Sequence, residues 1–162
     1  MGVILAVSGL ISLIISDIAL VSYVLAAIGL SAVAKKAGLE NTWFAWIPLL
    51  NLYLMGKVIG KLNLFGQEIN NMEIALPVVV VVGNIASSII SKIPAIGGLL
   101  GFIVSLAVIV FSAASCYEIY KMYKDTSNKL NVVLSIIFFP IFLFMIRNDE
   151  PIVSSNDNSL SM

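Results

Sequence analysis

The chain has no histidine and a single cysteine, Cys116. Their scarcity excludes His-ligated zinc, c-type haem attachment, an intrachain disulfide and any Ser–His or Cys–His mechanism. Charge is also scarce. Only 11% of the residues are charged, against about 25% in soluble domains. The nine basic residues balance the nine acidic ones, which leaves no basic domain to neutralise phosphates and argues against nucleic-acid binding. No Walker loop, GxSxG turn or pair of intramembrane aspartates occurs, so neither an enzyme nor a cofactor or metal site is expected. What the 162 residues do have is apolar surface: 60% are hydrophobic and the mean hydropathy is +1.06. Such a chain lacks the polar area to cover a water-facing globule, so its solvent is lipid.

A spanning helix takes about 20 mainly apolar residues, because its backbone groups must be satisfied internally. The uncharged stretches predict an all-α polytopic integral membrane protein: about four transmembrane helices, near residues 18–34, 74–91, 99–120 and 130–146, plus an interfacial or re-entrant helical segment at 41–60. All lie in one domain, residues 1–150. No stretch shows the in–out alternation of a barrel strand. Residues 1–34 read as one long or kinked helix, since neither Gly nor Pro stands at Ser16-Asp17; two short segments meeting there are the alternative. Residues 1–16 have no basic n-region, so a cleaved secretory signal is not expected. In the 41–60 segment, Trp43, Trp46 and Tyr53 suit the headgroup level as membrane-interface anchors, and Pro48 favours a helix start. Pro77 suits a first turn, and Pro140 should kink the last span. Residues 151–162 read as a disordered polar tail.

Basic residues set the direction. Lys35, Lys36, Lys57, Lys61, Lys121, Lys124 and Lys129 fall in two connections on one side; Lys92 and Arg147 fall on the other. The bias places the Lys-rich loops, 35–61 and 121–129, in the cytoplasm and both termini outside.

Residues 36–61 read KAGLENTWFAWIPLLNLYLMGKVIGK. Lys36-Ala37-Gly38, Trp43, Ile47-Pro48, Asn51, Tyr53, Lys57 and Gly60-Lys61 together resemble the signature of a family of small, largely uncharacterised bacterial membrane proteins. One residue is extra between Gly38 and Trp43, and Glu40-Asn41-Thr42 replaces the Pro-Gly usual there. Phe138-Phe139-Pro140-Ile141-Phe142 is similar to that family's last apolar segment, whereas residues 62–119 match only in hydrophobicity. The resemblance implies a multi-helix protein of the bacterial cytoplasmic membrane and no particular activity.

Three polar residues stand out as ion, substrate or partner contacts. Asp17 is flanked on both sides by apolar sequence, where a buried charge is costly; an interfacial Asp on an overlong helix is the plainer reading. Asn51 follows Pro48 in a segment that could be broken at membrane depth, the setting of many transporter sites. Asn84 needs a partner, structural or functional, in lipid. Ser8, Ser12 and Ser16 share a helix face, as do Gly97, Gly101 and Ser105, a small-residue pattern that permits close helix packing. Glu118, Lys121 and Asp125 are helix-spaced pairs at a membrane edge, and Cys116 reads as a packing residue. The expectation is an accessory or structural subunit that packs against other membrane proteins or further copies of itself in the lipid bilayer. A small channel or transporter component using Asp17, Asn51 or Asn84 is the alternative.

Overall fold

The computed structural model describes residues 2–152, with side chains from residue 6 onward. The first helix, α1 (Gly2–Lys36), runs unbroken through Ser16-Asp17, because no proline interrupts it. It stops at Gly38, whose φ of 74° puts it in the left-handed region that favours glycine. There the Leu39 N–H bonds the Ala34 carbonyl (3.0 Å) and the Gly38 N–H bonds that of Lys35 (3.1 Å), the paired closure of a Schellman motif.

The chain then turns back along α1 as a 3-10 turn, Thr42–Trp46. Ile47 is extended, as a residue before proline tends to be, and Pro48 occupies the first turn of α2 (Pro48–Ile59). A two-stranded hairpin follows, β1 (Leu62–Leu64) against β2 (Gln67–Ile69), with Leu62 opposite Ile69 and Leu64 opposite Gln67. Its two-residue turn has positive φ at both Phe65 (50°) and Gly66 (82°), the geometry that matches strand twist.

Two long antiparallel helices come next, α3 (Met72–Ile90) and α4 (Gly97–Tyr123). The β-branched run Val78–Val82 is helical, since in lipid a helix alone satisfies the backbone of a lone segment. Pro77 lies inside α3 rather than in its first turn; its missing N–H frees the Glu73 carbonyl, close to the aqueous edge where water can replace it. Together with α1, these give three helices long and apolar enough to cross a bilayer. The protein is an all-α polytopic membrane protein.

The last apolar segment departs from the expected single kinked span. It forms α5 (Lys129–Ile137) and α6 (Phe139–Ile146), bent by 106° at Phe138. α5 starts just past the end of α4, capped by Asn128, whose side chain accepts from Leu130 N (3.1 Å). α6 finishes back at that same end: Asp149 pairs with Lys124 (2.7 Å), and Ile152 N bonds Met122 O (2.7 Å). The bent pair therefore enters and leaves by one face, and Arg147 joins the other basic residues there. Pro140 sits at the first turn of α6, where the missing N–H is harmless. Of the expected tail, Ile152 is tied to α4, and 153–162 lie outside the described residues.

The buried core is one-sided. Ala27, Leu30, Val33 and Ala34 of α1 meet Leu54 and Ile59 of α2, Met72 and Leu76 of α3, Ile119 and Tyr123 of α4, and Leu143 and Ile146 of α6. Two glycines allow the approach. A Cβ on Gly29 would strike the Leu143 backbone, and one on Gly56 would strike that of Met72. Beyond this level α1 parts from the other helices while α3 and α4 stay packed together, and every residue of α1 from Ala6 to Val21 is exposed.

Candidate functional site

The 3-10 turn and α2 make a hairpin beside α1. Its reach follows from Tyr23, which stands 13 residues before Lys36 and so about 20 Å along the helix at about 1.5 Å per residue. The Tyr23 hydroxyl donates to the Trp46 carbonyl at the hairpin tip (2.7 Å). The neighbouring Ala45 carbonyl would receive an N–H from residue 48 in a continuing 3-10 helix, but Pro48 has none. Asn51 supplies it instead, Nδ2 to Ala45 O at 2.8 Å, while its own N–H bonds Ile47 O at 2.7 Å. Two successive carbonyls at the hairpin tip are thus closed by two side chains. The segment folds back along α1 as a hairpin, with the Trp46 backbone held beside Tyr23. Trp43 and Trp46 are both exposed, and Trp43 packs edge-on against Phe44 (4.7 Å between centroids).

At the foot of this hairpin, Gly38, Glu40, Asn41, Phe44, Tyr53 and Lys57 border a cleft of about 260 Å³. Lys57 lies over the Tyr53 ring, 5.2 Å from its centroid, a cation–π contact. This is where the Gly38, Tyr53 and Lys57 of the sequence signature meet.

The same face carries a charge network. Lys36 donates to the Asp149 carbonyl (2.5 Å) and lies 3.6 Å from Glu150, Lys124 pairs with Asp149, and Glu118 with Lys121 (2.6 Å). Asp125 does not pair with Lys121. It accepts from the Ser127 N–H (3.1 Å) and hydroxyl (2.6 Å), and these bonds hold its carboxyl below its usual range.

Between α3 and α4 the polar link is Ser87. Its hydroxyl donates to Gly101 O (2.8 Å) and lies 2.6 Å from Ser105 Oγ, while Ser91 bonds Ser87 O (2.6 Å). Gly97 and Gly101 face Ile90, Ser87 and Ser91 so closely that neither has room for a Cβ. The partner of the Gly97, Gly101, Ser105 seam is therefore α3 of the same chain.

Asp17, Asn51 and Asn84 are not brought together. Asp17 is exposed on the free half of α1. Asn51 serves the hairpin tip. Asn84 is exposed on α3 and bonds its own helix, Nδ2 to Val80 O at 2.5 Å, rather than another helix. Tyr23 escaped notice in the sequence, as a lone aromatic in an apolar helix gives no sign of which carbonyl it will serve. Among the described residues no cluster of three or more acidic or Cys side chains could hold a metal.

No family model matches the chain, and neither does any curated protein or solved structure.

Proposed function

We propose that this protein is a non-catalytic accessory or structural subunit of the bacterial cytoplasmic membrane, packing against other membrane proteins, with its Lys-rich face in the cytoplasm. One observation carries the reading: residues 6–16 of α1 are uncharged, mostly apolar and exposed along their whole length, on the far side of Asp17 from the core. Asp17 stands 19 residues before Lys36, about 28 Å along α1, so Lys36 to Asp17 already matches a hydrocarbon core of about 30 Å. Residues 2–16, uncharged throughout, extend past that span and need cover.

The conduit alternative has less support, because the three polar candidates it would use face different partners. Orientation is favoured by the sorting of basic residues. With the bent pair returning, seven Lys and Arg147 share one face and Lys92 alone marks the other. The bacterial setting rests on the resemblance of residues 36–61.

The test is affinity capture of the tagged full-length chain from mildly cross-linked native membranes. A defined membrane-protein partner should appear in fixed stoichiometry and be lost in Ser12→Trp, whose bulk falls on the free half of α1. Capture of the lone monomer, together with ion leakage from reconstituted vesicles that Asp17→Asn abolishes, would favour the conduit instead.

A further inference from the structure

Among the described residues, two charged side chains stand at the end of the molecule away from the Lys-rich face. Asp17 lies on α1, and Lys92 lies just after α3. Their levels agree. Asp17 is about 28 Å from Lys36, and Lys92 follows Met72 by 20 residues, about 30 Å at the same rise. Met72 and Lys36 share the lower level, since Met72 N bonds Gly60 O at the top of α2 (3.3 Å) and Lys57 of α2 borders the cleft with Gly38. The two residues have opposite charge, are exposed, and neither carries an ion pair among the described residues.

The apolar surface around them is also unpartnered. Ile18, Leu20 and Val21 of α1 are exposed just inside the Asp17 level, and so are Ile85 and Ile89 of α3. α1 is joined to the rest of the fold mainly through the 3-10 turn, α2 and α6, all in the other half.

Building on the subunit reading, we propose that the partner for this half is a second copy of the same chain. In it, α1 of each copy lies against the α3–α4 hairpin of the other, with Asp17 of one copy paired to Lys92 of its neighbour. The chain's two outer-end charges are complementary, and two copies inserted in one membrane hold them at one level. A two-fold arrangement satisfies both pairs at once, as an isologous interface requires. The pairing fixes partner and register more than it adds affinity, while the covered apolar helix supplies the packing.

The experiment uses two differently tagged full-length chains, co-expressed in a Cys116→Ala background, one carrying Asp17→Cys and the other Lys92→Cys. Oxidation of intact membranes should give one disulfide-linked species bearing both tags, and none when the cysteine at 17 is moved to Leu20. In the cysteine-free pair, Asp17→Lys should cut co-purification of the two tags at least tenfold, and Asp17→Lys with Lys92→Asp should restore it. If the charge reversal fails to fold, the cysteine pair, which leaves the helix intact, still decides. Tags that never co-purify, or a disulfide within one chain carrying both cysteines, would overturn the proposal. A single copy bound to a different protein would overturn it while leaving the subunit reading standing; a lone monomer would overturn both.

Discussion

Tyr23 and Trp46 are 23 residues apart and joined by one 2.7 Å hydrogen bond, phenol to main-chain carbonyl. That bond sets how far the hairpin runs along α1 and closes a carbonyl that lipid could not. Tyr23→Phe keeps the ring and removes only the donor. It should lower stability by about 1–3 kcal/mol, the cost of a polar group left unsatisfied away from water. Asn51→Leu should do the same through Ala45. Denaturant titration in detergent micelles reads the loss, and equal stability of both variants with the wild type would refute the closure assigned to the tip.

The glycines separate two environments on one helix. Gly29→Val forces a side chain into the Leu143 backbone, whereas Gly9 has nothing within 4 Å of where a Cβ would sit. Overpacking of this type costs about 1–3 kcal/mol. Gly29→Val should therefore loosen α6, measured as faster labelling of a cysteine placed at Phe142, while Gly9→Val labels at the wild-type rate.

Ser87→Ala removes the link between α3 and α4 and should cost about 0.6 kcal/mol, up to about 1.7. Asn84→Ala removes only a bond within its own helix and should cost less. A reversed order in unfolding free energy would mean that Asn84 has a partner outside this chain.

Sidedness follows from the bent pair. In a Cys116→Ala background, single cysteines at Asn128 and Asn148 should react with an impermeant maleimide from one side of sealed vesicles. A cysteine at Lys92 should react from the opposite side. If Asn148 sorts with Lys92, the pair crosses.

Acid should weaken the turn between α4 and α5. The carboxyl of Asp125 is held below its usual value by Ser127, so its contribution is fully present above the ordinary carboxylate value. It disappears as pH falls through the lowered value, because protonation removes an acceptor that only the folded turn uses. The protection of the Ser127 amide, its exchange rate relative to the intrinsic rate at each pH, should fall over that acid range in the wild type and be low at every pH in Asp125→Ala.

Much of this architecture is legible in the residues themselves. Residues 1–36 carry no proline, and one long helix is legible there. Pro48 after Trp46-Ile47 identified the helix start inside the 41–60 segment. At residues 130–146 hydropathy finds the apolar segment but not its sharp break, because length and apolarity do not encode direction. Pro140 signals a bend, but its 106° size and the return of Asp149 to Lys124 are seen only in the structure. The β-hairpin was also overlooked: its signal is the short alternation Leu62-Asn63-Leu64 before Phe65-Gly66, too brief to stand out. Asn51, which the sequence suggests as an ion, substrate or partner contact, bonds the Ala45 carbonyl of its own chain. The donor-less Pro48 three residues earlier explains that bond, which could be found only by following Ala45 O to its partner.

The absent hydrogen on Pro48 has effects beyond its own position. Restoring an amide there, as in Pro48→Ala, would let the backbone cap Ala45 unaided and release Asn51 from its post. Position 51 should then accept leucine or alanine with little penalty, although in the parent chain it cannot. Asparagine at 51 is a requirement created by its neighbour in sequence, and the two positions should tolerate change together far better than apart.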